Sequence, residues 1–268
     1  MNKYCLHLFL LLPCLNAAAQ QNPMQAVHEL ASPSVKEYPV LWQQTASEYR
    51  ALCYQAFNIA SLRLEKIKAT KKNKGLPLAI ITDLDETILD NSYCEAQLIK
   101  EGKEYSSNTW KDWTNKSAAT GVPGAVDFLN EAHRQKVDIF YISNRNVSEL
   151  GTTLINLQKL GLPDADTAHC LFVTTTSGKE PRRKIVAEKY NVIMMLGDNL
   201  NDFMDIFEQK SIEARFAETD KMREEWGKKF IVLPNSTYGE WENALYNYQR
   251  KLPAAQKAAM RKALLKGY

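Results

Sequence analysis

Two carboxylates one residue apart, Asp83 and Asp85, close the apolar run Ile80-Ile81-Thr82 and carry the first chemical signal in the chain. Leu78 to Ile81 read as a buried strand, punctuated at its start by Gly75 and Pro77. At the carboxyl end of a parallel strand the chain enters the crevice where open α/β sheets bind ligands, so both acids would face one partly dehydrated space. That placement suits a metal and a phosphate. Taken alone, the pair also reads as a turn, or as a helix cap made by Thr82 or Asp85.

Further strand ends carry polar groups of the same kind. Val137 to Ile142 run into Ser143, Asn144 and Arg145; Cys170 to Val173 lead on to Lys179; Val192 to Leu196 end before Asp198 and Asp202. In a parallel sheet these ends share one edge, so distant residues can meet in one crevice. Four acids there would repel one another, and a bound cation relieves the repulsion. Few, hard carboxylate oxygens with positions left for water suit Mg²⁺ better than Zn²⁺. Lys179 and the Ser143 hydroxyl remain to hold phosphate oxygens, the clamp that phosphoryl transfer requires. One Asp can attack phosphorus and a second can give and take the proton, a service worth about 10²–10⁴-fold. Each residue also has a structural alternative: Ser143 as a turn or cap, Asp202 as a charge at a helix N-terminus, Asn144 and Arg145 as structural hydrogen-bonding groups.

The elements that must position these groups follow from periodicity. From Val40 to about Lys72 apolar residues recur at three-to-four spacing without Gly or Pro, which predicts an amphipathic helix or helix pair. Residues 91–120 form a polar, Trp-containing insertion beside the first strand end, where a cap over a site would sit. Helices are predicted from Val122 to about Gln135, Val147 to Leu160 (closed by Gly161) and Pro181 to Tyr190, a fifth strand at Lys229 to Leu233, and helices to the end. Strands alternating with helices of this length give an α/β fold with a parallel sheet covered on both faces.

Composition narrows the class. The 268 residues are 45% hydrophobic and 24% charged, enough for one large core, and a net charge of +3 is too balanced to argue for nucleic-acid binding. Residues 1–19 have the layout of a signal peptide: Lys3, an apolar stretch from Leu6 to Leu15 too short to span a bilayer stably, and Ala17-Ala18-Ala19 before the expected cleavage. Cys14 raises a lipoprotein alternative, against which Pro13 argues. Residues 20–39, with Pro23, Pro33 and Pro39, read as an extended arm, and 40–268 as the remaining domain. Cys53, Cys94 and Cys170 then remain, neither a disulfide framework nor a zinc pattern. Arg261, Lys262 and Lys266 read as a solvated helix face.

The ordered motifs resemble the haloacid dehalogenase superfamily, and more narrowly the class C acid phosphatases, a group that includes lipoprotein 5′-nucleotidases. The resemblance rests on the stretches Asp83 to Asn91, Val122 to Phe128, Tyr141 to Arg145, Gly197 to Phe203, and Leu233-Pro234-Asn235 with Tyr238-Gly239 and Trp241-Glu242. It implies a Rossmann-type sheet with a small cap inserted after the first strand. It further implies Asp83 as nucleophile and Mg²⁺ ligand, and Asp85 as acid/base offering its backbone carbonyl to the metal. Ser143, Asn144 and Lys179 would bind phosphate, while Asp198 and Asp202 would serve the metal; Arg182 and Lys184 compete with Lys179. Trp110 and Tyr238 match positions that sandwich a nucleobase, though Trp110 and Trp113 could equally pack the cap's own core. The expected protein is an exported, periplasmic or secreted Mg²⁺-dependent acid phosphatase acting on small phosphate monoesters, nucleoside 5′-monophosphates among them. No nucleic-acid polymer and no stable membrane span are expected, and a homodimer is left open. A non-catalytic phosphate-binding protein and a phosphotransferase are the alternatives; Asp85 speaks against the first, since a binder needs no acid/base group.

Overall fold

The computed structural model describes residues 35–70, 75–249 and 251–268. The expected signal peptide and the arm up to residue 34 lie outside the described residues. In chain order the elements are α1 (Glu37–Thr45), α2 (Ser47–Thr70), β1 (Leu78–Thr82), β2 (Leu89–Asp90), α3 (Ser92–Glu101), α4 (Ser107–Thr114), β3 (Thr120–Gly121) and α5 (Ala125–Arg134). They continue with β4 (Val137–Asn146), α6 (Leu150–Lys159), β5 (Cys170–Val173), α7 (Glu180–Lys189), β6 (Asn191–Gly197), α8 (Ile212–Lys221), β7 (Phe230–Val232), α9 (Glu240–Leu245) and α10 (Ala254–Leu264).

Five strands form one parallel sheet in the order β5-β4-β1-β6-β7. The chain therefore builds outward from β1 in one direction through β4 and β5, then returns to build outward through β6 and β7. The reversal falls between β1 and β6, which is the switch point where such sheets open a crevice. Alternate residues go to opposite faces. Ile80, Ile139 and Met194 join the main core on one face, and Ala79, Ile81, Phe140 and Met195 join the second core on the other. Burial on both sides explains why these strands read as unbroken apolar runs.

The gap-free stretch after residue 40 is a helix pair, broken at Ala46, whose backbone is extended (φ −78°, ψ 123°). α1 begins at Glu37, inside the segment expected as an arm; Pro39 is tolerated there because the first turn needs no intrahelical N–H donor. On α2, Tyr49, Cys53, Ala56, Phe57, Ala60 and Leu64 make the buried stripe, and Phe57 meets Phe128 of α5 with ring centroids 5.8 Å apart. Gly124, at φ +90°, lets the chain enter α5 where an added Cβ would lie 3.1 Å from the Phe57 ring. The predicted helix start at Val122 is thus a turn that precedes α5 by three residues.

Residues 91–120 are more regular than their polar composition suggested, since they hold α3 and α4. β2 and β3 pair antiparallel at the base of this insertion, Leu89 with Gly121 and Asp90 with Thr120. Its return limb is fixed to the helix after β4: Thr114 Oγ1 donates to Glu149 Oε1 at 2.9 Å, and Asn156 exchanges two 2.9 Å bonds with the backbone of Ala119. Cys53, Cys94 and Cys170 are all buried free thiols. Among the described residues no helix is long and apolar enough to cross a membrane.

Because α2 shares the main core with the sheet, Phe57→Ala is expected to lower stability by about 3–5 kcal/mol within a single cooperative transition. Chemical denaturation followed by far-UV and near-UV circular dichroism checks this; a separate, earlier loss of helix would show that the helix pair melts alone.

Candidate active site

The register sets the site. Thr82 lies opposite Tyr141 on β4 and Leu196 on β6, so Asp83, Ser143 and Asp198 follow at the same edge. The Asp83 N–H donates to Leu196 O at 3.0 Å, which ties the two strand ends together. Asp83, Asp198 and Asp202 each place a carboxylate oxygen within 4.8 Å of the others. Lys179, 5% exposed, stands just before α7 and donates to Asp83 Oδ1 and, at 2.7 Å, to Asp202 Oδ1. Of the three basic candidates it alone enters the cluster: Arg182 donates to Ser143 O at 2.5 Å and to Asn144 Oδ1 at 2.8 Å, while Lys184 pairs with Glu180.

Each acid is held by separate donors. Asp198 Oδ1 accepts from Thr87 Oγ1 at 3.0 Å and its Oδ2 from Asn235 Nδ2 at 2.8 Å. Asp202 Oδ2 accepts from the Asn199 N–H at 3.0 Å, closing the short helical turn after β6. Gly197 is required by this turn, since a Cβ there would sit 2.5 Å from the Asp202 side chain. Thr87 and Asn235 lie inside the motif stretches, but spacing alone did not assign them to Asp198.

Electrostatically the cluster is short of positive charge. Burial raises the Asp83 carboxyl well above its usual range; Lys179 opposes the shift, and Asp202, Asp198 and Asp85 add to it. Burial and the Asp202 charge push Asp198 up to about 7 despite its two hydrogen bonds. Lys179 is raised, because the attraction of Asp202 and Asp83 outweighs the cost of burying its charge. A divalent cation held by hard oxygens supplies what is missing, so these residues fit a metal.

Asp85 is turned away from the three-acid group. Its Oδ1 accepts from Arg145 Nη2 at 2.7 Å and Asn91 Nδ2 at 2.9 Å, and its Oδ2 from Ser143 Oγ at 3.4 Å. Arg145, 3% exposed and open in the sequence between site wall and structural hydrogen bonding, is therefore a site residue, and the fold reveals its partner, Asp85, 60 residues away. Glu86 is a second residue that the pattern did not single out. It is 1% exposed, sits at φ 58°, and accepts from the Asn91 N–H at 2.9 Å and from the Tyr238 hydroxyl. Burial and the Asp85 and Asp198 charges raise its pKa.

A cavity of about 560 Å³ opens over this edge. Asp83, Asp85, Asp198 and Lys179 line its floor, and Trp110, Tyr238 and Asn144 also line it. Trp110 comes from α4 with its ring 5.4 Å from the Arg145 guanidinium, and Tyr105 is its aromatic neighbour. Trp113, by contrast, packs against the main core. The two tryptophans thus divide the alternatives between them.

The family model for the acid phosphatases of HAD superfamily subfamily IIIB matches residues 10–241. The class C acid phosphatase from Bacillus anthracis superimposes with a TM-score of 0.82 at 41% identity, over 86% of this chain and 96% of that one. The structure of that protein with tungstate bound gives the same values: TM-score 0.82, 41% identity, 86% and 96% coverage. With the match extending over most of the chain and the acidic cluster at the switch point of the same fold, this phosphomonoesterase belongs to the subfamily IIIB acid phosphatases of the HAD superfamily.

Proposed function

We propose that this acid phosphatase is an exported, Mg²⁺-dependent enzyme that hydrolyses nucleoside 5′-monophosphates and related small phosphate esters through an aspartyl-phosphate on Asp83. The observation that carries the reading is the buried contact of Lys179 with Asp83 and Asp202 beside Asp198, on the floor of a cavity with aromatic walls. Asp83, Asp198, Asp202 and the Asp85 backbone carbonyl are the groups assigned to the ion. When bound, Mg²⁺ neutralises charge on the phosphate and on Asp83 so that two anions can meet.

The protein's own groups perform the steps. The Asp83 carboxylate attacks phosphorus, and the bond from phosphorus to the leaving oxygen breaks. Asp85 gives its proton to that oxygen, releasing the alcohol. Asp85 then takes a proton from the water that attacks phosphorus, which frees inorganic phosphate and restores Asp83. Lys179, Ser143 and Asn144 are the groups for the phosphate oxygens, with the Lys179 ammonium already held in place by Asp83 and Asp202. The aromatic faces of Trp110 and Tyr238 suit a nucleobase of any identity, and such stacking is worth about 1–3 kcal/mol per base. Tungstate, which the Bacillus anthracis protein binds, is a tetrahedral oxyanion like phosphate, and this supports a phosphate subsite here. Export rests on the layout of residues 1–19.

Three measurements test this reading. Asp83→Asn is expected to fold normally and to lose essentially all phosphate release; near-normal turnover would rule out the covalent route. Trp110→Ala is expected to raise KM about tenfold for nucleotides and to change it little for a small aryl phosphate, whereas an equal effect on both would remove the base clamp. The third concerns metal and pH. Asp83 and Asp198 are shifted upward, so each holds its proton longer folded than unfolded. Without metal, the site therefore opposes folding increasingly as pH rises above the usual 3.8, for Asp198 through about 7. Mg²⁺ is expected to raise Tm more at about pH 7.5 than at about pH 5, relative to EDTA, and an equal rise at both would show that the ion does not bind these acids.

A further inference from the structure

α4 presents Trp110 and Trp113 one turn apart on the same face, and each touches one of the two groups that grip Asp85. Trp113 Nε1 donates to Asn91 Oδ1 at 2.7 Å, and Asn91 Nδ2 donates to Asp85 Oδ1 at 2.9 Å. Trp110 lies against Arg145, which pairs with the same carboxylate. The first of these chains has a directional logic. A primary amide can sit either way round, but an indole N–H can only donate, so its bond fixes Oδ1 toward Trp113 and turns Nδ2 toward Asp85. Reversed, the amide would set an oxygen against a carboxylate. Asn91 is 1% exposed and its backbone N–H is held by Glu86 Oε1 at 2.9 Å, so the side chain works from a fixed base.

We infer that Asn91 is a positioning residue for Asp85 and that Trp113 sets the orientation of its amide; this rests on the acid/base reading of Asp85. The shortest donor contacts converge on Oδ1, from Arg145 Nη2 at 2.7 Å and Asn91 Nδ2 at 2.9 Å. Oδ2 has only longer contacts, 3.2 Å from Arg145 Nε and 3.4 Å from Ser143 Oγ. Oδ2 is therefore the oxygen that carries the proton to the leaving group. As the bond from phosphorus to the ester oxygen breaks, that oxygen keeps the electron pair and takes the proton from Oδ2, leaving Asp85 ionised with Oδ1 held.

The test uses leaving groups that differ in their need for a proton, in the full-length Mg²⁺-loaded enzyme. Phenyl phosphate needs protonation of its leaving oxygen, and 2,4-dinitrophenyl phosphate, of similar shape, does not. Trp113→Phe, which keeps an aromatic ring and removes the N–H, is expected to lower kcat/KM, which reports the steps through alcohol release, about tenfold for phenyl phosphate and to leave it within about twofold for the dinitrophenyl ester. Asn91→Ala is expected to show the same split or a larger one; should that variant fail to fold, Trp113→Phe alone decides. Asp85→Asn is the reference. If it discriminates between the esters and Trp113→Phe does not, whether both esters fall or both hold, the positioning role is overturned and the acid/base assignment stands. If Asp85→Asn itself fails to discriminate, the acid/base assignment falls and the positioning role with it.

Discussion

The architecture depends on gathering three carboxylates, two buried and one half-buried, at one edge of a parallel sheet. Asp83 and Asp202 are each 8% exposed and share one buried ammonium, that of Lys179. Burying charge is costly unless it is paired and hydrogen-bonded, and a buried pair is weak evidence for stability even then. The upward shifts of Asp83 and Asp198 show that one lysine does not balance the group. The site is therefore held by the fold more than it holds the fold. Two apolar cores on either face of β1, β4 and β6 supply the stability that the strand ends draw on.

Precision at the strand ends comes from short local devices. The bond between the Asp83 N–H and Leu196 O fixes the two central strands in register. The absence of a side chain at Gly197 lets the turn after β6 fold the Asp202 carboxylate back against the backbone, where it accepts from the Asn199 N–H. Thr87 and Asn235 divide the two oxygens of Asp198 between them. Each of these contacts decides where a carboxylate oxygen points.

The strands, their direction and their polar ends were legible because buried strands are short, apolar and bounded by turn residues. Asp83, Asp198 and Lys179 could be placed together for that reason. What escaped was whatever depends on side-chain direction across long separations: Arg145 gripping Asp85, Glu86 beneath Tyr238, and Asn91 between Trp113 and Asp85. Arg145 directly follows Asn144 in sequence, but alternation along β4 buries one and exposes the other. The insertion was harder still. Its polar residues hide two helices whose order comes from contacts with α6 and the helical turn before it, not from its own composition. Tryptophans three residues apart cannot be sorted into wall and core by spacing, because a helix places both on the same side.

The ladder joining Leu89 to Gly121 and Asp90 to Thr120 has a consequence for how selectivity can change. It brings the two ends of a roughly thirty-residue excursion to within one strand spacing, about 4.8 Å, so the chain leaves and rejoins the sheet domain at one place. Residues of the insertion away from Asn91, Trp113, Thr114 and Ala119 can vary without disturbing the contacts that reach the strand ends. Variation in the cavity wall and constancy of the strand-end carboxylates are thereby compatible in one chain, the two meeting where Asn91, Trp110 and Trp113 approach Asp85 and Arg145.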